Sequence, residues 1–183
     1  MTTSNITTLK ALSTDNKSAA AAIKLSIARI ESNEMTERAQ RLIVTFCKVA
    51  SNSAVEFDSA IVTRNVYAIE KAKKVIHALT IKSASVIDKY TNAIVFNISK
   101  RKVHKNLTNR EQNASLCAAL ECESMLATMK KLHKAESTAA TQSSSTRVML
   151  DALDIAENDN DAKECHINDS VNARAFVALY AKK

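Results

Sequence analysis

The sequence predicts an all-α protein, an elongated helical bundle with one long central helix and shorter helices flanking it. Three observations carry this expectation. The 183-residue chain contains no glycine, no proline and no tryptophan, where average usage supplies on the order of 13 glycines and 9 prolines. Hairpins lean on Gly for positive φ and on Pro at turn corners, whereas helix interiors disfavour both. Apolar residues also recur at three- and four-residue spacing through most of the chain. Finally, successive segments open on a capping residue and close on lysine or arginine, the polarity a helix dipole favours. With 46% hydrophobic and 25% charged residues, the composition is that of a globular chain with a real core.

Taken in order, Ile6, Leu9 and Leu12 make the first apolar stripe and Ala19, Ile23, Ile27 and Ile30 the second, with "STDN" between them. These are one kinked helix or two short ones. Asn33 or Ser32 is placed to cap the next helix, whose stripe is Met35, Ala39, Leu42, Ile43, Phe46, Val49 and Ala50 and which should stop at residues 51–53. Ser53 with Glu56, and Thr108 with Glu111, have the spacing of capping boxes. Between these two starts the helical phase survives: Ile69, Ala72, Ile76 and Leu79 share a face with Val86, Ile87, Tyr90 and Ile94. A single helix over about 53–105 is therefore expected, although Ser85 with Asp88 offers a second capping box and a break near "KSAS". Uninterrupted, it would be about 75 Å long at 1.5 Å per residue. The helix after Thr108 should close on "KKLHK".

Residues 138–146, "TAATQSSST", are the most linker-like stretch. They divide a main bundle over 1–137 from an acidic helical segment over 147–183, which packs on the bundle or is exchanged between bundles. Val148, Met149, Ala152, Leu153 and Ala156 form its first stripe. A last helix should start at Asn168 or Asp169 with Val171, Ala175, Ala178 and Leu179 facing inward. No fixed repeat length emerges.

The formal net charge is +7, which favours anionic partners such as nucleic acid or an acidic protein surface. On a continuous helix Arg64, Lys71, Lys82, Lys89 and Lys100 fall within about 20° of one another in projection. This cationic stripe is a candidate polyanion-binding surface, its salt dependence growing with each phosphate neutralised. The competing reading is lysine stems packed beside an apolar seam with their ammonium groups in water. The run "SKRKVHKN" at 99–106 is first a helix-end signal, since within it only Lys100 extends the stripe. Opposite in sign, Asp151, Asp154, Glu157, Asp159 and Asp161 form an acidic contact patch. Basic and acidic blocks can pair within one chain or between copies, where complementary patches set register and association rate.

Other chemistries find little support. Glycine-dependent nucleotide sites are excluded by composition. Asp159 and Asp161 alternate as in a calcium loop, but Lys163 follows where an oxygen ligand is needed, and no metal site is expected. Cys117 and Cys122 lie five apart and Cys165 adjoins His166, neither a zinc spacing; these three and Cys47 read as reduced core residues. No local signature marks His77, His104, His133 or His166 as catalytic. No secretory signal opens the chain, and no apolar run approaches the roughly 18 residues of a membrane span. The expectation is a non-enzymatic, cofactor-free structural protein, cytoplasmic or particle-associated, that forms homo-oligomers or takes part in a larger particle such as a virion. The alternatives are a polyanion-binding helical protein and an amphipathic binder of lipid surfaces.

Overall fold

The computed structural model describes residues 2–88, 91, 107–108, 136–159 and 164–179. The protein is mostly helical, as its missing glycines and prolines require. Six helices occur among the described residues: α1 (Thr2–Lys10), α2 (Lys17–Glu31), α3 (Glu37–Ser51), α4 (Val66–Ile81), α5 (Glu136–Ala152) and α6 (Val171–Ala178). Short 3₁₀ turns lie at Ser59–Thr63 and Ala84–Val86. A small antiparallel sheet of β1 (Leu107–Thr108), β2 (Ala156–Asp159) and β3 (Glu164–Ile167) has the order β1-β3-β2, with Leu107 opposite Cys165 and Ala156 opposite Ile167.

Side-chain caps fix where the helices begin. Asn16 accepts from the Ala19 N–H at 3.0 Å and so divides α1 from α2. Thr36 caps α3, Asn65 caps α4 with 2.9 Å to the Ala68 N–H, and Ser170 caps α6. Each satisfies a backbone donor that the first helical turn leaves unpaired.

Three of the six described helices, α2, α4 and α5, stop in the same way without glycine. Asn33, Lys82 and Asp154 carry positive φ, at 63°, 53° and 52°. At each the next N–H reaches back to a carbonyl five residues earlier: Glu34 to Arg29, Ser83 to Ala78 and Ile155 to Leu150. The left-handed residue bonds three back, to Ile30, Leu79 and Asp151 respectively. This is the Schellman motif, built on residues with a Cβ where Gly is usual. Asn and Asp tolerate the left-handed region through their short polar side chains; Lys82 has no such help.

The core gathers Leu9, Ile30, Ile43, Phe46, Ile61, Ile69, Ile76, Met149 and Leu150, all essentially inaccessible. Full burial of such a side chain contributes about 1.5–3 kcal/mol. Helix α4 lies between α3 and α5, with α1 and α2 against α3. Met149 and Leu150 join the same cluster as Phe46 and Ile76, so α5 seals the core formed by the earlier helices.

The long central helix over 53–105 is not formed. Ser53 accepts from the Val55 N–H at 3.0 Å, two residues on, instead of capping a helix with Glu56. The chain is neither helix nor strand through 54–58, where its polar groups are used elsewhere: Asn16 Nδ2 donates to the Ser53 and Val55 carbonyls, both at 2.8 Å, and the Asp58 N–H donates to the Ala152 carbonyl at 2.7 Å. Phe57 then turns into the core, its ring 5.3 Å from Phe46 in an edge-to-face contact. At the other end the left-handed Lys82 stops α4, a position at which the sequence offers no usual helix-stop residue. The break near "KSAS" therefore exists. Residues 89–90 and 92–106 lie outside the described residues.

Two further expectations are corrected. Residues 138–146 lie inside α5 rather than in a linker. Thr108 pairs with Glu164 in the sheet rather than opening a helix, while Glu111 lies outside the described residues.

Candidate functional site

The predicted cationic stripe does not survive the break in the helix. Arg64 is extended and exposed ahead of α4, and Lys82 is exposed at the turn that ends it. Lys71 is only 5% exposed. Its ammonium donates to Asp88 Oδ1 at 3.1 Å and to Thr91 Oγ1 at 3.4 Å. Lys89 and Lys100 lie outside the described residues. Once a turn separates residues 81 and 84, positions eleven apart no longer share a face.

Lys71 instead belongs to a buried junction. Asp88 also accepts the Thr91 N–H at 3.1 Å, three residues on, and the Thr91 hydroxyl at 2.7 Å. One carboxylate thus accepts from both the Thr91 amide and hydroxyl and pairs with a lysine of α4. Burial lowers the Lys71 pKa from its ordinary value, with the Asp88 charge opposing. Burial alone would raise the Asp88 pKa, but the Lys71 charge and the Thr91 bonds outweigh it and hold the carboxyl below its ordinary value.

Of the five predicted acidic residues, Asp151 and Asp154 come together in one groove with Glu56 and Asp58, which the sequence reading did not include. A groove of about 530 Å³ opens between the segment at 54–58, the end of α5 and the start of α6. Glu56, Asp58, Asp151 and Asp154 line it, with Phe57 and Val171 supplying apolar surface. Glu157, also exposed, lies close enough to act on Asp151. Asp159 is in β2, and Asp161 lies outside the described residues.

Each wall of the groove is positioned by hydrogen bonds. Asn172 Nδ2 donates to the Glu56 carbonyl at 2.7 Å and to the Leu153 carbonyl at 2.8 Å, tying α6 to both other walls. Asn168 Nδ2 donates to Asp154 Oδ1 at 2.6 Å, and the Ser170 hydroxyl donates to the Asp154 carbonyl. Asp58 Oδ1 accepts from the Ala60 N–H at 2.9 Å, opening the 3₁₀ turn. Asp154 and Asp58 therefore have structural partners, which leaves Glu56 and Asp151 as the carboxylates best placed to meet something from outside.

The Asp151 pKa is raised, chiefly by partial burial; Arg64 opposes the shift, and the smaller repulsive effects of Asp58, Glu157 and Asp154 add to it. A cation brought into the groove would relieve that repulsion. No group of three or more His, Cys, Asp or Glu side chains among the described residues is arranged to hold a metal ion.

Other candidate groups are accounted for by packing or lie elsewhere. Cys47 is a free, buried thiol beside Ser26 Oγ at 3.8 Å, and burial pushes its pKa up to about 11 against that hydrogen bond. A thiol so held is a poor nucleophile. His77 is exposed on α4, Cys165 and His166 lie in β3, and Cys117, Cys122, His104 and His133 are outside the described residues. Among the described residues no helix is long and apolar enough to cross a membrane. Comparison of the chain with protein-family models, curated proteins and solved structures finds no match.

Proposed function

We propose that the chain is a non-enzymatic assembly protein that self-associates by charge pairing, the acidic groove of one copy receiving a basic surface of another. The observation that carries this reading is the gathering of Glu56, Asp58, Asp151 and Asp154 around one open groove on a chain whose net charge is +7. A basic chain that concentrates carboxylates on one face presents complementary surfaces to its own copies. Unequal surfaces of this kind join head to tail, and such contacts generate rings or open filaments according to whether the rotation closes.

Apolar seams are a weaker basis for association. Among the described residues the large exposed hydrophobics are Tyr67, Ile81 and Val171. Tyr67 and Ile81 sit at opposite ends of α4, so they do not make one broad patch. A polyanion-binding role has less support, because Lys71 of the five residues assigned to it is buried. The setting that fits an assembly protein is cytoplasmic or particle-associated, a virion component included.

Sedimentation at low and moderate salt tests the proposal. The mass should exceed the 20.0 kDa of one chain at low salt and fall toward it as salt screens the pairing. Glu56→Gln combined with Asp151→Asn should bring the mass to that of the monomer without added salt while leaving the helical content unchanged. A wild-type chain that stays monomeric at every salt concentration refutes the reading. One that gains mass only when duplex DNA is added refutes it in favour of polyanion binding.

A further inference from the structure

We draw no further inference here: the strongest candidate outside the acidic groove, the shallow cavity of about 300 Å³ lined by Lys48, Asn52, His77 and Thr80 between the C-terminal turns of α3 and α4, gathers solvent-exposed side chains, and nothing in the structure shows what occupies it.

Discussion

Lys82 carries the clearest residue-scale cost in the described fold. A left-handed residue with a Cβ is disfavoured by roughly 1–2 kcal/mol relative to its right-handed form, and Gly escapes that penalty at some cost in chain entropy. Lys82→Gly should therefore stabilise the protein by about 0.5–1 kcal/mol, read as a higher urea midpoint with an unchanged slope. The Lys71–Asp88 pair sets the opposite expectation. Removing one charge from a buried pair costs about 3 kcal/mol or more because the other is left unneutralised. Asp88→Asn, which retains an N-cap oxygen, should show that loss, and adding Lys71→Met should restore part of it. Because its pKa is depressed in the folded protein, Asp88 contributes stability at pH values above its ordinary 3.8, and that contribution disappears as pH falls through the lower folded value. Asp151 behaves conversely. Its raised pKa means that the contribution is favourable in acid and is lost as pH rises through the folded value. Asp151→Asn should raise the melting temperature at pH 7 and leave it nearly unchanged near pH 3; an equal gain at both would remove carboxylate repulsion as the cause.

Among the elements, α6 depends most visibly on a single side chain. Asn172 is the donor for two carbonyls from distant segments, and Asn172→Ala should cost about 2 kcal/mol by leaving both without it. Faster amide exchange in α6 than in α3 would locate the loss; equal change in both helices would count against a local role. The same residue explains why α6 was misread from periodicity. Periodicity places Val171, Ala175, Ala178 and Leu179 inward; Leu179 does pack against the core, yet Val171 is 75% exposed, Ala175 and Ala178 are exposed, and Ala173 and Phe176 are buried instead. Turning Asn172 toward the Glu56 and Leu153 carbonyls fixes the rotation of the helix, and hydropathy alone does not register that constraint. By contrast, the inward faces of α2 and α3 are legible because Ile23, Ile30, Ile43 and Phe46 face one core, although α3 is capped by Thr36 rather than by Asn33 or Ser32. The end of α4 is not, because its stop is a lysine in a conformation that the sequence does not mark. Of the acidic site, Asp151, Asp154 and Glu157 could be read from their crowding along the chain. Glu56 and Asp58 could not, since they come from a segment nearly a hundred residues earlier that folding alone brings alongside.

For the whole molecule, the prediction is the salt-sensitive mass given above, and it ties assembly to the completeness of the fold. The Asn172 side chain reaches the Glu56 carbonyl across 116 positions. Closing so long a loop must be compensated by contacts made only when both segments are in place, and such distant pairings form slowly compared with local helices. A chain whose early helices have folded but whose α6 has not docked lacks one wall of the groove. Under the proposed self-association, folding order would act as a timer, withholding the groove from immature molecules and giving it to finished ones.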